Sequence, residues 1–297
     1  MAVLEIGTDE VEVVLDIRAE LGEGPLWDAR EQVLWWVDIL AGHVHRFDPA
    51  TGQDRVFEAG QYVGAVALRA DRPGLVLAAH EGFIVLEPDG QVKPFVTVEL
   101  ELPGNRMNDG YCDERGRFWA GTMAISEGAG AGSLYRLDPG GEVTKMLGGV
   151  SISNGIDWSG DGRTMYYIDT PTHLVEAFDC DMDAGIIGNR RTFATIPDGM
   201  GGPDGMIVDA DDCLWVGLFG GSQLRRYTPD GEVERIVHLP AANVTKCAFG
   251  GPALEDLFIT TAWHNATPEQ REREPHAGSL FRCRPGVRGR EAHRYRG

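Results

Sequence analysis

Short apolar runs alternate with clusters of polar and turn-forming residues from one end of the chain to the other. Residues 33–38, 74–79, 117–121, 164–169, 213–217 and 256–260 are each rich in aromatic or β-branched side chains and are bounded by Gly, Asp or Pro. Runs this short are strands rather than helices. With Leu34, Leu75, Phe118, Met165, Leu214 and Leu257 as equivalent points, the steps are about 41, 43, 47, 49 and 43 residues. Within each step a polar or small start leads into an apolar strand, a turn such as Asp113-Glu114-Arg115-Gly116, the aromatic strand, and then further strands such as residues 132–137. A period of this size with about four strands per unit predicts an all-β fold, a six-bladed β-propeller. The whole chain, 1–297, reads as one domain, because no linker or shift in composition divides it. A strand at about residues 11–17 is left over and is expected to close the last blade, which would remove an exposed sheet edge.

Composition narrows the function. The 46 Asp and Glu against 27 Lys and Arg give a net charge of −19, which argues against a protein that grips a nucleic-acid backbone. The basic residues gather toward the end, where 290–297 forms an Arg-rich tail expected to be either solvated or docked. No run is long enough to span a membrane, and the N-terminus lacks the pattern of a signal peptide, so the expected setting is cytoplasmic with no membrane partner. The five Cys residues form no C-x-x-C pair and read as buried reduced thiols. A monomer or weak oligomer is expected.

In a propeller the first strand of every blade lines a central channel, so residues at equivalent strand starts converge. Those starts carry Glu23, Asn108, Asn154 and Asp204, each beside a Gly or an Asp-Gly. Taken singly, an Asn or Asp before Gly reads as a turn. Four oxygen-bearing side chains at one repeated position point instead to a site. Two carboxylates and two carboxamides facing one channel would repel and be poorly solvated without a cation between them. Oxygen-only donors favour a hard ion such as Ca²⁺, Mg²⁺ or Mn²⁺. Competing chemistry is thin. His43 and His45 share a strand face without a third ligand nearby, and Asp209, Asp211 and Asp212 read as a solvated hairpin turn.

The segments Gly22–Trp27, Arg106–Gly110 followed by Ala120–Met123, Ser153–Ser159 and Pro203–Met206, in this order, resemble the SMP-30/gluconolactonase/LRE family of regucalcin-like sugar lactonases. The resemblance runs from about Leu21 to Gly289. It implies a six-bladed propeller with one divalent metal held by Glu23, Asn154 and Asp204, Ca²⁺ foremost, with Mg²⁺, Mn²⁺, Zn²⁺ or Fe²⁺ as alternatives. It implies that Asp204 doubles as the general base and that Arg106 and Asn108 bind substrate oxygens. Some members carry a substrate-contacting Glu a few residues after the Gly-Thr-Met motif; the matching place here holds Ser126, with Glu127 beside it. The expected activity is metal-dependent opening of a small sugar lactone to the aldonic acid. The rival readings are an esterase or phosphotriesterase at the same site, and a non-catalytic calcium-binding propeller.

Overall fold

A computed structural model describes residues 3–297. Its strands form six sheets, each with four antiparallel strands, arranged as a six-bladed β-propeller. The aromatic runs found in the sequence are the second strands of the blades: Val33–Asp38, Leu75–Ala79, Phe118–Ala124, Thr164–Asp169, Leu214–Phe219 and Asp256–Ala262. Their large side chains fill the space between blades. Trp36, Trp119 and Trp215 are fully buried, and Trp119 meets Trp158 of the next blade edge to face at 5.7 Å. Truncating one such aromatic to Ala typically costs about 3–5 kcal/mol.

The innermost strands are Gly22–Asp28, Val63–Leu68, Asn105–Cys112, Ser153–Trp158, Gly202–Val208 and Asn243–Gly250. Each packs against the next, and the last returns to the first, so the ring closes. Every one of them breaks register with its second strand once, at a matching place: between Glu23 and Leu26, Val63 and Ala65, Met107 and Gly110, Asn154 and Ile156, Pro203 and Met206, and Val244 and Cys247. A β-bulge kinks the strand and re-aims the side chains around it. The Asn-Asp-Gly and Asp-Gly pairs that look like turns in the sequence therefore lie inside strands. Gly is needed there because neighbouring inner strands come very close. A Cβ on Gly64 would sit 1.9 Å from the carbonyl oxygen of Asn108.

The chain's two ends are both built into the ring. Glu12–Leu15 pairs antiparallel with Leu280–Cys283 at the outer edge of the sixth blade. Leu4–Ile6 adds a parallel fifth strand to the fifth blade beside Val233–His238. After residue 283 the Arg-rich tail crosses one face of the propeller and touches all six blades. Gly289 N donates to Leu254 O (2.8 Å), Arg290 Nη2 to Trp158 O (2.7 Å) and Arg290 Nε to Val208 O (3.3 Å). Arg294 pairs with Asp28, Tyr295 N donates to Leu68 O (2.8 Å), and Arg296 N donates to Gly116 O (3.1 Å). Tyr295 is fully buried. The tail is docked rather than solvated.

Asp209 also differs from its reading in the sequence. It is fully buried, and it accepts from Trp215 Nε1 at 2.9 Å and Arg226 Nε at 2.7 Å. Asp113 does the same for Trp119 and Arg117 two blades earlier. These aspartates pin the hairpin to the aromatic strand, a role that a run of Asp residues does not by itself reveal.

Candidate active site

All inner strands run in the same direction along the axis, so their first residues meet at one end of the channel. A cavity of about 180 Å³ opens there, with room for on the order of a dozen waters. Glu23, Arg106, Asn108, Asn154 and Asp204 all line it. Apolar side chains, among them Leu21, Ile39, Met123 and Phe219, form the rest of the wall. Five of the six residues expected from the sequence therefore converge. Ser126 does not: it is exposed and lies outside the lining, whereas Glu127 faces the cavity. Glu127 sits at a turn, with a φ of 56° in the left-handed region.

The polar side chains form one connected chain of hydrogen bonds. Arg106 Nη1 donates to Asn108 Oδ1 at 2.7 Å and to Met107 O at 3.0 Å. Asn108 Nδ2 donates to Asn154 Oδ1 (3.0 Å) and to Ser153 O (2.8 Å). Asn154 Nδ2 in turn donates to Thr170 Oγ1 (2.8 Å), which donates to Pro203 O (2.8 Å). Both N–H groups of Asn108 and one of Asn154 are thus spent on protein, which leaves the second lone pair of each Oδ1 for the cavity.

The carboxylates are held differently. Glu23 Oε2 accepts from Gly24 N at 2.7 Å, and the Glu23 and Asp204 carboxyls lie within hydrogen-bonding reach of each other. Burial, followed by the charge of Asp109, pushes Glu23 up to about 8. Burial, followed by the charge of Glu23, raises Asp204 well above the carboxylate range. Burial also lowers Arg106 to about 10. Two buried carboxyls against two amide oxygens form an all-oxygen donor set of the kind that suits a hard divalent cation, which would relieve the repulsion.

Three residues at the site escaped sequence reading. Thr170 and His264 line the cavity from loops that follow second strands. Lys246 occupies the sixth blade's bulge, the place that Gly205 holds in the fifth blade and Asp109 in the third, and was legible by extending the repeat to that blade.

Residues 21–263 match the family described as SMP-30/Gluconolactonase/LRE-like region. The chain belongs to the SMP-30/gluconolactonase/LRE family. Regucalcin of Xenopus laevis is 37% identical over 289 residues, covering 94% of this chain and 96% of the relative. A 6-deoxy-6-sulfogluconolactonase of Pseudomonas putida is 36% identical over 271 residues, covering 91% and 92%. Among solved structures, that of a calcium-binding protein, regucalcin, from Agrobacterium tumefaciens superposes with a TM-score of 0.94 at 29% identity, covering all of both chains. Glu23, Arg106, Asn108, Asn154 and Asp204 all fall inside the matched region.

Proposed function

We propose that this chain is a metal-dependent lactonase that opens a small sugar lactone at the mouth of the channel. The observation that carries the reading is the pair of neighbouring, buried carboxyls, Glu23 and Asp204, set against Asn108, Asn154 and Arg106 in one polar cavity. Relatives named for lactonase activity and for calcium binding support it. Glu23, Asn154 and Asp204 would hold the ion, with Asn108 alongside; calcium is the first candidate. When bound, the ion supplies a Lewis acid for the lactone carbonyl.

The chain's own groups do the rest. Arg106 and Asn108, already locked to each other, donate to and accept from ring hydroxyls and fix the sugar's orientation. Asp204 takes a proton from water as its oxygen adds to the carbonyl carbon. That proton passes to the ring oxygen as the ester C–O bond breaks, leaving the open hydroxy acid. An ion-storage protein would need neither the guanidinium nor the clamped Asn108 amide. The test is a pH-stat panel of five- and six-membered sugar lactones, an aryl ester and a phosphotriester, with each metal and with chelator. Lactone turnover that needs metal, and that falls by about 10³ or more in Asp204→Asn with the fold intact, is the expected result. Undiminished turnover in that variant sinks the assignment.

A further inference from the structure

One charged pair on the axis has no part in the lactonase reading. Lys246, in the bulge of the sixth blade, is 1% exposed. Its methylenes fill the room that Gly205 leaves: a Cβ at position 205 would lie 2.5 Å from Lys246 Cβ and Cγ and 2.7 Å from Cδ. From there the side chain crosses the axis to the third blade, where its ammonium pairs with Asp109 Oδ1. Asp109 sits in the third blade's own bulge. Its Oδ1 also accepts from Gly110 N at 2.7 Å, and its Oδ2 is buried without a partner.

The pair lies between two cavities and lines neither. Asn108, one residue before Asp109, lines the site cavity, whereas Tyr111 lines a second, smaller cavity toward the far face. Lys246 Nζ is 5.8 Å from the Tyr111 ring. The carboxyls of Asp109, Glu23 and Asp157 act on the ammonium, and the ammonium acts in turn on Asp204. Burial alone would lower the lysine, but Asp109 and Glu23 outweigh it and hold the group above its ordinary value, so it remains an ammonium.

We propose that Lys246 and Asp109 form a fixed-charge floor that sets the affinity of the metal site above it, the lysine weakening and the aspartate strengthening the hold on a divalent cation. They act through space as positioning residues and ligate nothing. The inference rests on the reading of Glu23, Asn154 and Asp204 as metal ligands. Its physical basis is that charges shielded from water by the blades interact far more strongly than they would in solvent. A divalent ion doubles every such interaction.

The test is calorimetric titration with CaCl₂, at fixed pH and ionic strength, of the wild type, Lys246→Met, Asp109→Asn and the double variant. Lys246→Met should tighten binding by about tenfold or more and Asp109→Asn should weaken it by a similar factor. The double variant, which is neutral and nearly isosteric, should return to within about threefold of the wild type. Opposite signs are what a merely structural role would not produce. If the wild type binds calcium and the two single variants shift its affinity in the same direction, or neither moves it by more than about threefold, the floor proposal fails alone. A wild type that binds no divalent ion removes both the metal reading and this one. Should one single variant fail to fold, the other single and the double decide the sign.

Discussion

The two ends of the central channel are made from the same six strands but treat charge in opposite ways. At the mouth, buried carboxyls press on one another, and Glu23 is pushed up to about 8 by burial and then by the charge of Asp109. At the far end the C-terminal tail supplies what the mouth lacks. Asp157, buried there, accepts from Val208 N at 2.6 Å and Trp158 N at 2.7 Å, with the guanidinium of Arg290 at 3.7 Å. The cavity left beside it is about 30 Å³, space for about two waters, against about 180 Å³ at the mouth. Burial raises the Asp157 carboxyl as well, but there Arg290 of the tail and two backbone N–H groups oppose the rise, whereas at the mouth neighbouring carboxyls add to it. On the proposed function, chemistry would belong to the mouth and stability to the far end, a division common where an active site is held in a destabilised state.

The division can be broken by separating activity from stability. The largest expected effect is that of Asp204→Asn on turnover, and the same variant should leave the melting temperature intact or higher in chelator. Removing residues 288–297 should do the reverse. Loss of the tail's contacts to six blades and of buried Tyr295 should lower the melting temperature by about 10 °C, with the lactonase rate per folded molecule unchanged. A truncated protein that melts like the wild type would show that the tail is not a clasp.

A smaller effect concerns pH. In the metal-free fold Glu23 holds its proton up to about 8, whereas the unfolded chain releases it at about 4.5. The fold therefore binds the extra proton between those values, and stability in chelator should fall as pH rises across that window. Glu23→Gln should flatten the slope and raise the melting temperature at neutral pH. Melting curves in chelator at pH 5 and pH 8 check both; a slope that survives the substitution unchanged would place the strain elsewhere. The smallest effect is expected at the rim, where Glu127 faces the cavity and Ser126 does not. Glu127→Gln should raise KM by about threefold to tenfold with little change in kcat, and Ser126→Ala should change neither.

Much of the fold was legible because a strand's side-chain alternation and a blade's length are local properties. The aromatic runs fell on all six second strands. The convergence of Glu23, Asn108, Asn154 and Asp204 was legible too, once the repeat was used to align them. Positions whose role depends on how neighbouring strands pack were harder. Asp209 looked like a solvated turn residue, and its burial depends on Trp215 and Arg226 in the strands beyond it. Ser126 and Glu127 differ by one place in a loop, and only the left-handed turn at Glu127 decides which of them faces inward.

By itself, then, the sequence determined the number of blades, the oxygen chemistry of four strand starts and the family. These rest on periodicity and on residue type, which survive without coordinates. Tertiary structure decided which chemically similar groups share the axis. Ring closure and the six bulges bring Lys246 onto Asp109, 137 positions earlier, and press Glu23 against Asp204. The reason is burial: a carboxylate's proton affinity and an ammonium's reach are set by what surrounds them, and those surroundings exist only once the sixth blade has met the first.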